Sequence, residues 1–397
     1  MGTTLQDLHT RFQQFLFFLI FNIYLVEGSG ITNELIDAKV PVDISFMIAD
    51  FKYNRKDGVK ICEVQHGTDS TFYGDRFSHG EPGIIAGNFY RVLLRYHTQF
   101  WTTRVEITEK QIVNTLSSAP EWRMYKKIPF LEKDPDFQKL SNFIVEDPDD
   151  IQSYGGIVCL KIPHMHFCPY LLMQYPGILF LDAGTADYWN DKYKMSQLFS
   201  RSPNLAQFKP RWNLYPKQYT PDLADKIIQD IPSEKFVIKP RSAYLGNGVI
   251  IVSRENLDET LNYILHKKPS LNENPDKSYH YWYSDKHESF LVEEFIASDP
   301  IAVSHFDNQI FQPTMRAAFL LIYNQGQITI EFLGFYWLLP LLPLHSDASL
   351  IEKHKAHVIA PYFCPVDPET ISEVKKQLNV ALTLLYREMI RGQNERD

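Results

Sequence analysis

Cysteine is scarce: the 397 residues contain four, at 62, 159, 168 and 364, and none forms a CxxC pair. A disulfide framework or a zinc finger needs thiols paired at short spacing, so these are read as reduced core residues in a cytoplasmic setting. His164, His166 and Cys168 alternate as neighbours on one strand face would and could touch a metal, but no second ligand cluster completes a site. Positive charge is also short. Forty Lys and Arg against 48 Asp and Glu give a formal charge of −8, which excludes the broad cationic surface that nonspecific nucleic-acid binding requires. No apolar run reaches the ~20 residues of a spanning helix. Phe15 to Val26, broken by Asn22, comes nearest. Its upstream flank holds Asp7 and Arg11, and Val26–Gly28 makes a poor cleavage site. A buried or interface helix is the expectation for this stretch, with membrane contact through residues 15–26, or export as an effector, as alternatives to a cytoplasmic protein.

What is present is ordinary globular material, 44% hydrophobic and 22% charged, so neither disorder nor a membrane-embedded fold is indicated. The length predicts two or three packed units. Residues 44–65 read as two strands around Asp57–Gly58, a strong hairpin signal. Residues 66–90, rich in Gly, Ser, Thr and Asp, read as a loop over a site. A helix then a strand are expected within 89–110, a surface connection over 132–150, and short strands between the prolines of 155–181. Helices are expected at 188–199, 219–230, 257–267 and 368–391. A strand, glycine loop and strand occupy 236–252, a loop 268–286, a strand 290–296, and a hairpin 314–333 turns at Asn324–Gly326.

The chemistry concentrates in this second half. Lys239 ends an apolar strand shortly before Gly246, Asn247 and Gly248, a pattern in which loop N–H groups and an ammonium meet phosphate oxygens; a plain hairpin with a surface lysine is the competing reading. The strand from Phe290 to Ile296 could offer its backbone to a nucleobase, and Glu293, Glu294 and Asp299 are candidate acceptors for ribose hydroxyls. Arg316 opens a strand from which it could reach phosphates. At the other end of the chain, Asp50, Glu63 and Gln65 lie on adjacent strands of the first hairpin, with Glu63 and Gln65 on one face. Two carboxylates and an amide oxygen are hard ligands suited to Mg²⁺; an exposed charged hairpin is the competing reading, and the one the hairpin favours taken alone.

This order of elements from Asn190 to Leu333 resembles the ATP-grasp superfamily. The metal strands that such chains carry at their C-terminal end have their counterpart here near the N-terminus, which resembles the circular permutation of eukaryotic-type glutathione synthetase and the general form of glutathionylspermidine synthetase. The loop holding Thr68 and Ser70 is similar in kind to a substrate loop. Gln65 stands where the pattern has Asn, and no arginine follows Gly334–Trp337, where many relatives place one. The resemblance implies an α/β, circularly permuted ATP-grasp fold divided as an apolar helix and linker (1–40), a metal-binding hairpin and loop (41–84), an additional substrate-side α/β region (85–185) and a nucleotide-binding region (186–397). It implies ATP and two Mg²⁺ ions as cofactors. Lys192, Lys239, the glycine loop and Glu293, Glu294, Phe295, Ile296 and Asp299 would hold the nucleotide, and Arg316 with Lys239 would act on the phosphates. The implied activity is ATP-dependent, ADP-forming carboxylate–amine ligation of small-molecule or peptide substrates. A small-molecule kinase, a catalytically silent nucleotide-binding protein, or an interaction protein are alternatives, and a homodimer stays open.

Overall fold

The computed structural model describes residues 43–67, 69–81, 83–93, 95–96, 99–102, 123–125, 156–159, 178–188, 191–243, 246–267 and 277–394. The apolar segment 15–26, the charged stretch 132–150 and His164, His166 and Cys168 lie outside them, as do Asn190 and Thr68.

The first hairpin forms as read, from Asp43–Asn54 and Gly58–His66. Gly58 takes φ +70°, the left-handed turn position that favours glycine. This hairpin joins a five-stranded antiparallel sheet whose order is Phe363–Pro365, Gln327–Leu338, Thr314–Asn324, Asp43–Asn54, Gly58–His66. The N-terminal hairpin thus completes a sheet begun more than 250 residues later, through pairing of Asp43–Phe51 with Met315–Tyr323.

Alternation along these strands decides what faces what. On one face Met47, Ala49, Phe51, Met315, Ala317, Phe319 and Leu321 pack in a core with the helix Pro368–Asn394, whose Val374, Leu378, Leu382, Leu385 and Met389 recur at helical spacing. On the other face Ile44, Phe46, Ile48, Ala318, Leu320 and Ile322 enter a second core. Continuing the same alternation, Asp50, Lys52, Thr314 and Arg316 stand on that second face and line an open cleft instead. The sheet passes from core to site within one strand.

That second core is built partly by two helices, Asp69–His79 and Ile85–Leu93, in the stretch expected to be a loop. Tertiary contacts override the poor helix propensity of this glycine- and serine-containing sequence. Phe72 packs beside Phe46 and Phe89, and the buried Asp75 carboxylate accepts the main-chain N–H groups of Ile84 and Ile85, each at 2.8 Å. Nearby, Gln99–Thr102, Arg123–Tyr125, Gly156–Cys159 and Ile178–Phe180 form a parallel sheet, within the stretch read as a further α/β region.

A second antiparallel sheet, in the order Trp212–Pro216, Ser289–Glu294, Lys235–Pro240, Ile250–Ser253, has a third core beneath it. The expected helices appear at Lys192–Ser200 and Leu223–Asp230, and Leu257–Leu261 runs on into a π-helical turn through Lys267. The stretch 268–286 is corrected in part, since Lys277–Ser284 is helical. Fully buried Trp282 explains it: its indole N–H donates to Gly248 O at 2.9 Å and fastens this helix to the glycine loop. Helices packed on antiparallel sheets, with a cleft between the two larger antiparallel sheets, give the α/β class that the sequence implies.

Candidate functional site

The cleft between the two antiparallel sheets encloses about 190 Å³. It brings together Asp50, Glu63, Gln65 and Ser70 from the N-terminal part with Lys239, Gly246, Glu293, Glu294, Phe295, Ile296 and Arg316. Its charged groups are arranged by a β-bulge. The register pairs Asp50 with Glu63 and Phe51 with Ile61, leaving Cys62 as the extra residue. Glu63 therefore keeps the face of Asp50, and the Cys62 carbonyl, freed from the ladder, accepts from Lys209 Nζ at 3.1 Å and Lys239 Nζ at 3.3 Å.

Four ion pairs follow. Arg316 grips Asp50 through Nε and Nη2, both at 2.7 Å, and its Nη1 donates to Ser70 Oγ at 3.2 Å. Lys192 Nζ reaches Glu63 Oε1 at 2.6 Å and Ala243 O at 2.7 Å. Glu293, 2% exposed, sits between Lys209 at 2.6 Å and Lys239 at 2.5 Å. Burial opposes ionisation of Glu63 and Glu293, but Lys192 beside the first and the two lysines beside the second hold both carboxyls below their usual range. Burial lowers the Lys209 ammonium; at Lys239 the opposing attraction of Glu293 prevails and raises it. Burial, reinforced by Lys239, pushes Lys52 down to about 8, and burial with Lys52 nearby pushes His354 down to about 4.

Several candidates sit elsewhere than the sequence reading put them. Asp299 does not line the cleft: its carboxylate accepts Arg55 N at 3.0 Å at the turn of the first hairpin. Glu293 is engaged by two lysines, and Glu294 accepts Arg211 N at 2.8 Å. Asn247 is exposed, and of Gly246, Asn247 and Gly248 it is Gly246 that lines the cleft. Gly246 and Gly248 adopt φ +69° and +72°, so both need glycine. Lys192 lines an adjoining pocket that shares Glu63, Gln65, Lys239 and Glu293 with the cleft.

The sequence reading assigns no site role to Lys209, Lys52 or His354 and takes Cys62 as a core residue, whereas Cys62 lines the cleft. Lys209 had a signal, since Lys209–Pro210 repeats the Lys239–Pro240 dipeptide and both lysines meet Glu293. Among the described residues no three His, Cys, Asp or Glu side chains group as a metal site. The hairpin offers two carboxylates and the Gln65 amide, an all-oxygen set that suits Mg²⁺ rather than a thiophilic ion.

No protein-family model and no curated protein matches the chain. Among solved structures it is similar to a glutathione synthetase-like effector (GSS30) from Globodera pallida in its apo form, at 12% identity and TM-score 0.39, covering 80% of each chain. It is also similar to D-cycloserine synthetase DcsG, at 10% identity and TM-score 0.33 over 73% of this chain and 81% of that one. D-alanyl-alanine synthetase A from Vibrio cholerae O1 biovar eltor str. N16961 matches at 13% identity and TM-score 0.33, and the match spans 58% of this chain and only 59% of that one. All three TM-scores lie below 0.5, so the reading of the cleft stands on its own residues.

Proposed function

We propose that this chain is an Mg²⁺- and ATP-dependent, ADP-forming carboxylate–amine ligase on a circularly permuted ATP-grasp fold. One observation carries the reading. Asp50, Glu63 and Gln65 share a cleft with Lys239 and Arg316, although some 170 to 270 residues separate the two groups in sequence.

In this reading the segment from Glu293 to Ile296, at and just beyond the end of the strand Ser289–Glu294, lines the base side, and Lys239, Lys192 and the glycine loop face the phosphates. Asp50, Glu63 and Gln65 would hold the metal, which would neutralise phosphate charge when bound. A substrate carboxylate oxygen attacks the γ-phosphorus as the bond to ADP breaks, giving an acyl phosphate. The amine nitrogen then attacks the acyl carbon, the C–O bond to phosphate breaks, and the amine loses a proton. Arg316, with its fork on Asp50, would offset charge on the acyl phosphate, and Ser70 beside it would meet the acid substrate. The protein's part is positioning and charge neutralisation. Among the described residues no helix is long and apolar enough to cross a membrane.

The test is ADP release from MgATP across pairs of carboxylic acids and amines. Release that needs both partners supports ligation; release with a hydroxyl compound and no amine indicates a kinase. Absence of MgATP binding by calorimetry, with no shift in thermal midpoint at millimolar MgATP, removes the reading.

A further inference from the structure

Lys52 differs from the cations of the cleft and its adjoining pocket that hold carboxylates. Lys192, Lys209, Lys239 and Arg316 each hold a carboxylate. Lys52, 7% exposed, holds none among the described residues; its ammonium donates to Pro313 O at 3.1 Å and His354 O at 3.5 Å. Carbonyl dipoles return only part of the hydration that a buried ammonium gives up. The adjacent His354 is 5% exposed, lines the same cavity, and has an Nδ1 with no hydrogen-bond partner among the described residues. Two buried polar groups therefore border this cavity without full satisfaction.

Their place in the cleft narrows what they meet. Asp50, Glu63 and Arg316 form one row across the sheet, and Lys52, Thr314 and Leu338 form the next. Phe295 packs on the His354 ring, 4.8 Å between centroids, and Val237 and Ile251 line the same cavity. Apolar walls around one strong donor suit a flat heteroaromatic ring with a lone pair at its edge. Phosphate is better served one row away.

We propose that Lys52, with His354 beside it, recognises the base of a purine nucleotide by donating to a ring-nitrogen lone pair, so that this end of the cleft sets nucleotide specificity. The inference rests on the nucleotide-binding reading above. The bland alternative makes Lys52 a strut that ties Pro313 to the segment at His354.

Lys52→Met and Lys52→Gln are titrated with MgATP and with magnesium tripolyphosphate by calorimetry, and their thermal midpoints are measured without ligand. MgATP affinity is expected to fall roughly tenfold to a hundredfold, the worth of a hydrogen bond to a charged group. Tripolyphosphate affinity is expected to stay within about twofold of the parent, because its contacts lie in the other row. The midpoints should be no lower than the parent's. Lys52→Gln supplies the answer if Lys52→Met does not fold. Equal loss of both ligands makes Lys52 a phosphate contact, loss of neither makes it a bystander, and a lowered midpoint makes it a strut; each overturns the inference. A parent that binds neither ligand overturns the nucleotide reading and this inference with it, whereas a parent and variants that bind MgATP alike overturn this inference alone.

Discussion

Removing the charge of Glu293 probes how the cleft is held together. Glu293→Gln leaves the Lys209 and Lys239 ammoniums without the carboxylate that now lies 2.6 and 2.5 Å from them, and all three side chains are at most 10% exposed. Deleting one member of a buried ionic group costs roughly 3–5 kcal/mol, because the partner charges stay desolvated. At about 2.1 cal/mol/K per residue, the 397-residue chain has an unfolding entropy near 0.8 kcal/mol/K, so a cost of about 4 kcal/mol lowers the midpoint by about 5 °C. Lys209→Met should cost less, since Lys239 and Glu293 remain as a one-to-one pair. Triphosphate would restore the missing negative charge, so millimolar MgATP should raise the midpoint of Glu293→Gln by more than it raises the parent's. Differential scanning calorimetry with and without MgATP reads all of these. If Glu293→Gln melts with the parent, the buried triad is not what holds these strands.

Glu63→Ala should abolish turnover while sparing much of the nucleotide affinity, and Lys239→Ala should weaken that affinity with the fold intact; the two kinetic and calorimetric patterns would be interchangeable if these residues did not face different parts of one ligand. His354 titrates below the unfolded chain's histidine, so the unfolded state takes up its proton first and stability falls as pH drops from about 6.5 to about 4. The effect is at most about 3 kcal/mol, and His354→Phe should flatten that part of the pH–stability curve relative to the parent. Gly248→Ala forces a side chain onto a φ of +72° and against the Pro240 ring; a loss of about 1–2 kcal/mol from the backbone alone is expected, with weaker nucleotide binding, and unchanged affinity would separate this loop from the site.

The first hairpin was legible because Asp57–Gly58 and strict alternation are local signals, and alternation alone put Glu63 and Gln65 on one face. The helix Asp69–His79 was not. A glycine in its middle reads as loop, yet Gly74 is where Tyr336 packs closely: a Cβ there would lie 2.6 Å from the ring. The requirement comes from a strand more than 250 residues away. Lys209 and Lys52 were hidden for a related reason: Lys209 lies in a bend and meets Glu293 from a distant strand, and Lys52, which alternation puts on the face of Asp50, is buried by contacts that have no local sequence signature. Asp299 shows the opposite error. It follows an informative strand closely in sequence, but the chain turns away from the cleft after Ile296, and Asp299 N bonds Tyr53 O at 2.9 Å.

The central claim is that one nucleotide lies between the N-terminal hairpin and the Lys239 strand. A crystal structure with Mg²⁺ and a non-hydrolysable ATP analogue tests it most directly. The account predicts triphosphate oxygens on Lys239, with a metal held by Asp50 and Glu63 at about 2.0–2.1 Å and the base against Phe295. Density for the analogue at any other place, or Glu63 and Lys239 too far apart to share its phosphates, would contradict it.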